Sequence, residues 1–194
     1  MTDTSAITAG KSMKAIGVTP SIVLCNPLYA RNVSMVIRLA ANYYLPQVWY
    51  TGDRVSIEDP SQNVEFPGDE RHSGLKGKRK KGNKARLPRE ERMRGFDDVE
   101  LHQFDYPFDH FPGCTPVAVE LKSGAELLPD FEHPEKAIYV FGPEDGSLQA
   151  PILRHCHRFV IVPTRYCLNL AMAVGTVLYD RMIKMGDIGE VSRQ

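Results

Sequence analysis

Runs of apolar, β-branched residues alternate along this chain with stretches whose apolar residues recur at helical spacing. The runs that predict strands are 21–25, 47–51, 99–104, 116–121, 137–141 and 158–162. The stretches that predict helices are 32–44, 148–155 and 168–185. Continuous apolar strands alternating with helices predict an α/β fold with a mostly parallel sheet and helices on both faces.

Boundary residues mark the ends of two of these helices. Asn32 is a suitable N-cap for the first helix, and Pro46 stops its apolar repeat. Gly186 stands where the last helix should stop. We therefore expect the first helix to begin at Asn32 and the last to end near Met185.

The pattern fits a single domain over residues 21–194, with two segments that it does not cover. Residues 1–20 are mostly small and polar, and we expect them to form a flexible leader. From 53 to 95 the periodicity disappears and Pro, Gly, Lys and Arg dominate. Such a composition cannot build a packed core, so we interpret 53–95 as a basic, flexible insertion.

A formal net charge of zero conceals a strong separation of charge. Residues 71–94 contain eleven Lys or Arg against two Glu, a net charge of +9, which leaves −9 for the rest of the chain. Concentrated positive charge favours a polyanion, because each neutralised phosphate releases condensed counterions. The alternative is a solvated loop that aids solubility.

Composition argues against several other classes of protein. No run of 18 or more apolar residues is present, and the first ten residues lack a signal-peptide pattern, so we expect a soluble, cytoplasmic protein without a membrane partner. The four cysteines are far apart and form no Cys-x-x-Cys pair, which favours free thiols. His155, Cys156 and His157 are consecutive and point in different directions, so we expect no metal site.

Three segments sit at the C-terminal ends of predicted strands, where open α/β sheets place their ligands. They are residues 26–38, 139–148 and 160–171. No Gly-x-Gly-x-x-Gly or Gly-x-Ser-x-Gly motif is present. Gly10-Lys11-Ser12 has neither the upstream glycine nor the strand that a phosphate-binding loop requires.

Together these segments resemble the three signature motifs of the SpoU, or TrmH-like, branch of the SPOUT RNA methyltransferases. Asn32-Val-Ser-Met-Val-Ile-Arg38 resembles motif 1, and Phe141-Gly-Pro-Glu144 with Val162-Pro163 resembles motif 2. Cys167-Leu-Asn-Leu-Ala171 resembles motif 3, with Cys167 in place of the usual serine and a shortened stretch before it. The order and spacing of the motifs agree over roughly 21–51 and 116–185.

The resemblance implies a C-terminal trefoil knot and a homodimer with the last helix in its interface. It also implies S-adenosylmethionine as the cofactor, held by loops that follow the strands. Glycine at 142 would let the backbone approach this ligand closely. The cofactor-binding residues that it implies are Leu121, Gly142, Val162, Pro163, Cys167 and Leu168.

The implied catalytic residues are Arg38, Asn32, Glu144 and Asn169. Because a guanidinium stays protonated near neutrality, we expect Arg38 to bind the phosphate and stabilise the developing alkoxide rather than act as a base. Asn32, Glu144 and Asn169 would shape the site through hydrogen bonds between loops and to the nucleotide. The alternatives are a surface arginine and ordinary cap or turn residues.

The implied substrate is RNA. Tyr29 and Arg31 precede the motif 1 helix and suit stacking on splayed bases. The basic segment would grip the RNA backbone, with Lys78, Arg79, Lys80 and Lys81 at its centre. Ribose 2′-O-methylation is the expected activity, with transfer RNA ahead of ribosomal RNA. A SPOUT base methyltransferase, or a degenerate fold that serves in RNA binding or assembly, is the alternative.

Overall fold

A computed structural model describes residues 17–55 and 98–186 of the chain. The described strands form one parallel sheet in the order β3-β2-β1-β6-β4-β7-β5. They are β1 (Ser21–Leu24), β2 (Gln47–Tyr50), β3 (Glu100–Gln103), β4 (Thr115–Val119), β5 (Glu126–Leu127), β6 (Ala137–Phe141) and β7 (Arg158–Ile161). The described helices are α1 (Ala30–Asn42), α2 (Ala150–Leu153) and α3 (Leu170–Met185).

The apolar strands lie at the centre of the sheet because both of their faces are covered. Every residue of β1 and β6 is buried. One face packs against α1 and α3, and the other against α2 and the segment around Phe111. This arrangement confirms the predicted α/β fold with helices on both faces of a parallel sheet. The trefoil knot stays a prediction.

Helix α1 departs from its predicted boundaries at both ends. It begins at Ala30, two residues before Asn32, and its N-cap residue, Tyr29, makes no side-chain cap hydrogen bond. It ends at Asn42, and Tyr44 has a left-handed φ of 57°. The prediction of Asn32 as the N-cap is therefore wrong, because its side chain bonds across to another loop.

Helix α3 begins two residues later than predicted and ends where predicted. The Asn169 side chain caps it by accepting a hydrogen bond from the Ala171 amide at 3.0 Å. At the other end Gly186 adopts a φ of 74°, the left-handed conformation that commonly ends a helix. The apolar helix and its glycine stop are confirmed.

The sequence analysis did not predict three short elements, because their residues show no apolar periodicity. They are β5 and two 3-10 turns at Pro107–His110 and Leu128–Asp130. Residues 1–16 of the expected leader and 56–95 of the expected insertion lie outside the described residues, as do Lys78, Arg79, Lys80 and Lys81. Within 17–55 and 98–186, no helix has the length and apolar content needed to cross a membrane.

Candidate active site

The three motifs meet at the carboxyl edge of the sheet. Strands β1, β6, β4 and β7 are neighbours and run in parallel, so the loops that follow them gather at one edge. These loops carry residues 25–29, 142–149, 120–125 and 162–169. Residues far apart in the sequence therefore face one another.

Glu144 joins motif 2 to motif 1. Its Oε2 accepts a hydrogen bond from the Leu28 amide at 2.7 Å, and its Oε1 accepts one from Asn32 Nδ2 at 2.5 Å. Both carboxylate oxygens are thus occupied by donors from one loop and the first turn of α1. Charge-assisted bonds of this kind are stronger than neutral ones, so Glu144 holds these two segments together.

Asn32 continues the connection to motif 3. Its Oδ1 accepts a hydrogen bond from Asn169 Nδ2 at 3.1 Å, while Asn169 Oδ1 caps α3. The orientation of both amides follows from their partners, since a carboxylate accepts and an amide N–H donates. Glu144, Asn32 and Asn169 form one continuous chain, which we call the motif chain.

Glu120, which the sequence analysis missed, fixes the loop that follows β6. Its Oε2 accepts a hydrogen bond from the Leu148 amide at 2.8 Å. The same loop packs tightly at Gly142, where an added Cβ would lie 3.3 Å from the Leu148 nitrogen. These contacts set the path of residues 142–148 beside β4.

The six cofactor residues that the sequence predicted lie in or next to the loops that follow β4, β6 and β7. Gly142 and Val162 are partly buried, whereas Leu121, Pro163, Cys167 and Leu168 are exposed. Leu121 is 63% exposed, and Tyr166, in the loop that follows β7, is 73% exposed. Exposed apolar side chains beside backbone donors and acceptors fit an adenosine, which has apolar faces and a polar edge.

Arg38 does not join the motif chain. It lies on α1 six positions after Asn32, so the two side chains leave the helix about 120° apart. The residue is partly buried, and the guanidinium makes no hydrogen bond or ion pair within 17–55 and 98–186. Tyr29 and Arg31 are exposed at the start of the same helix. All three are available to a substrate.

Arg54, also missed by the sequence analysis, forms a forked ion pair at this edge. Its Nη1 and Nη2 donate to the two Asp145 oxygens at 2.9 and 2.7 Å. This guanidinium holds the pKa of the Asp145 carboxyl below its usual value through the hydrogen bond. Among the described residues, no group of three or more His, Cys, Asp or Glu could hold a metal ion.

The comparisons with known proteins fit this architecture. Several solved structures share the fold at low sequence identity. One, described as "Structural insights into the 2-OH methylation of C/U34 on tRNA", is 20% identical with a TM-score of 0.61, and the match covers 86% of this chain and 96% of that one. The A. aeolicus TrmH/SpoU tRNA modifying enzyme is 14% identical with a TM-score of 0.60, covering 89% of this chain and 79% of that one.

The SpoU methyltransferase AviRb from Streptomyces viridochromogenes, in complex with AdoMet, is also similar. It is 14% identical with a TM-score of 0.62, and the match covers 91% of this chain and 63% of that one. Among curated proteins, none matches this chain significantly. The chain therefore shares its fold with these solved structures. Residues 100–179 match the model of the SpoU rRNA Methylase family, in agreement with the resemblance of the sequence motifs.

Proposed function

We propose that this protein is an RNA methyltransferase that transfers the methyl group of S-adenosylmethionine to a ribose 2′-hydroxyl. The observation that carries the proposal is the motif chain, because Glu144, Asn32 and Asn169 join all three motifs at the carboxyl edge of the sheet. The SpoU family match over residues 100–179 supports the reaction class.

Glu144 serves this reaction as a positioning residue. Both of its oxygens already accept hydrogen bonds, from the Leu28 amide and from Asn32. Each oxygen therefore already acts as an acceptor within the chain, which favours positioning over proton removal as the role of Glu144. Its role is to hold the loop before α1 and the first turn of α1 in place, which preorganises the surface that the nucleotide meets.

Arg38 is the proposed electrostatic catalyst. The 2′-hydroxyl must lose its proton to the adjacent phosphate as its oxygen attacks the methyl group, so negative charge develops on that oxygen. A guanidinium that remains charged stabilises this alkoxide and binds the adjacent phosphate. Arg38 is free to do so within the described residues, whereas Arg54 is already paired with Asp145.

S-adenosylmethionine supplies an electrophilic methyl group when bound. The residues proposed to hold its adenosine lie in the loops that follow β4, β6 and β7. The apolar side chains among them, at 121, 162 and 168, would cover the flat faces of the base. Gly142 keeps the loop after β6 close to Leu148.

The proposed substrate is transfer RNA first and ribosomal RNA second. Two of the similar structures concern tRNA, and one of those matches extends over 96% of its chain. Exposed Tyr29 and Arg31 suit stacking on unpaired bases. The +9 charge of 71–94, with Lys78, Arg79, Lys80 and Lys81, would bind the RNA backbone in the cytoplasm.

A homodimer through α3 is part of the proposal. Met172, Tyr179 and Ile183 are at least half exposed, and their spacing places them on one stripe of the helix. An exposed apolar stripe of this kind suits a second copy of the same surface. Sedimentation of Tyr179→Glu should show a monomer, and an unchanged sedimentation coefficient would count against the interface.

Transfer of labelled methyl from S-adenosylmethionine to cellular RNA, followed by alkaline hydrolysis, tests the activity. A 2′-O-methyl group blocks cleavage of the next phosphodiester, so we expect label in alkali-resistant dinucleotides. Label in single nucleotides would indicate base methylation instead. A protein that binds RNA but transfers no label to any RNA pool would be a binding or assembly factor.

A further inference from the structure

Arg54 connects a fourth loop to the motif chain. It follows β2, the strand beside β1, and its fork reaches Asp145 in the loop that follows β6. Asp145 is the next residue after Glu144, whose carboxylate holds Leu28 and Asn32. The backbone between 144 and 145 therefore links the arginine fork to the motif chain.

The loop that carries Arg54 is well anchored to its neighbour. The Asn26 amide donates to Thr51 Oγ1 at 3.1 Å, and Gly52 lies so close that an added Cβ would be 2.4 Å from Asn26 Oδ1. Gly52 also has a φ of 79°, which favours glycine. Arg54 thus projects from an anchored loop, and its fork constrains Asp145 in addition to the contacts that Glu120 and Gly142 make.

The ion pair between Arg54 and Asp145 contributes more to the relative position of the two loops than to the stability of the fold. The Arg54 and Asp145 side chains are 27% and 51% exposed, and exposed pairs add little to the free energy of folding. A two-pronged guanidinium–carboxylate contact nevertheless fixes both distance and angle. An effect of removing it should therefore appear in the geometry of the site and not in the melting temperature.

We propose that Arg54 is a positioning residue for methyl transfer: through Asp145 it holds Glu144 where its carboxylate binds Leu28 and Asn32. This inference rests on the proposed function for its consequence in catalysis. Its structural part concerns hydrogen bonds within the chain. The two parts can be measured separately.

Hydrogen exchange at the Leu28 amide measures the structural part without any substrate. Arg54→Ala and Asp145→Asn should each accelerate this exchange about fivefold or more, because Glu144 moves away from the amide. The Leu148 amide, which Glu120 holds, should keep its rate. An unchanged Leu28 rate in both variants would overturn the proposal.

Arg158 offers a matched control. It forms the same kind of exposed fork with Glu126, at 2.7 and 2.8 Å, between β7 and β5. Arg158→Ala should leave exchange at Leu28 unchanged. If it accelerates Leu28 as much as Arg54→Ala does, the effect is general loosening and the proposal fails.

Steady-state methyl transfer measures the catalytic part. We expect Arg54→Ala to lower kcat about tenfold with an unchanged KM for S-adenosylmethionine and an unchanged Tm. The charge-swapped pair, Arg54→Asp with Asp145→Arg, should recover part of the loss. An unchanged kcat in an active protein would overturn the proposal. A wild-type protein that transfers no methyl would instead defeat the proposed function, and the Leu28 exchange would still decide the role of Arg54.

Discussion

Helix α3 is held by polar side chains at both ends, and the two arrangements differ. At its start Asn169 joins the motif chain, in loops that are partly exposed. Near its end Arg181 is 5% exposed and donates to the carbonyls of Pro134 and Glu135 and to the Tyr139 hydroxyl. One end meets solvent at the edge of the sheet, and the other is buried at its base.

The buried end satisfies its polar groups within the protein. Tyr139 accepts from Arg181 and lies 2.6 Å from His133 Nδ1, while His133 Nε2 lies 2.8 Å from Asp180. Burial raises the pKa of Tyr139 to about 12, so its hydroxyl stays protonated and can donate to His133. This network is complete without a ligand, which indicates a role in stability.

The comparison is clearest between two arginines. Arg181 is buried and donates three hydrogen bonds, whereas Arg38 has no side-chain partner within the described residues. A buried, bonded charge is costly to disrupt, and a partly exposed charge without a partner on α1 is available for chemistry. We therefore expect substitution of Arg38 to lower activity and substitution of Arg181 to lower stability.

Arg38→Ala should produce the largest loss of activity. Removing the charge that stabilises the alkoxide should lower kcat by about 10²- to 10³-fold, with little change in Tm. Methyl transfer with saturating RNA measures it, and Arg154→Ala, an exposed arginine at the end of α2, serves as the control. Full activity with normal RNA affinity would remove Arg38 from the mechanism.

Arg181→Met should instead destabilise the fold. It leaves two carbonyls and a buried hydroxyl without their donor, at a cost of about 3 kcal/mol in the free energy of unfolding. Urea denaturation measures this loss. The remaining folded protein should keep its kcat at low temperature. A stable variant with impaired catalysis would contradict the assignment of the buried end of α3 to stability and of its exposed end to the active site.

Two substitutions at Asn169 separate helix capping from the motif chain. Asn169→Ala loses both functions, so stability should fall by about 1 kcal/mol and kcat about tenfold. Asn169→Asp keeps the cap oxygen and loses the amide that donates to Asn32. It should therefore retain stability and lose kcat. Equal losses of stability in the two variants would show that the cap oxygen is unimportant.

The smallest predicted effect is the pH dependence of stability that His133 causes. Burial lowers its pKa from 6.5, opposed by Asp180 and reinforced by Arg181 and Lys184. The unfolded state therefore binds the proton more tightly, and stability falls as pH drops through 6.5, by less than about 1 kcal/mol between pH 7 and pH 6. Denaturation at both pH values should show this, and His133→Gln should reduce the difference. Equal stability of the wild type at the two values would contradict it.

The fold was predictable where the chain repeats a local pattern. All five residues of β6 are apolar, and its predicted bounds match the structure. Helix α3 combines an apolar repeat with a glycine stop. Asn32 was misassigned as a cap because the same side chain can bond to its own helix or to Glu144, and local sequence does not distinguish the two.

The site was predictable only in part. The motif resemblance identified Glu144, Asn32 and Asn169, which the structure brings together. Glu120 and Arg54 were missed because their partners lie 28 and 91 positions away. The sequence pattern carries no sign of such long-range contacts. Only the order of the parallel strands brings these loops to one edge.

Single-turnover methyl transfer by wild type and Glu144→Gln tests the central claim most directly. Glutamine keeps the shape of the side chain, but its amide cannot accept from both Leu28 and Asn32. With labelled S-adenosylmethionine and transfer RNA, wild type should place label in alkali-resistant dinucleotides, and the variant should do so about 10- to 100-fold more slowly, with cofactor affinity and Tm retained. Equal rates for the two proteins, or label in single nucleotides, would contradict the account.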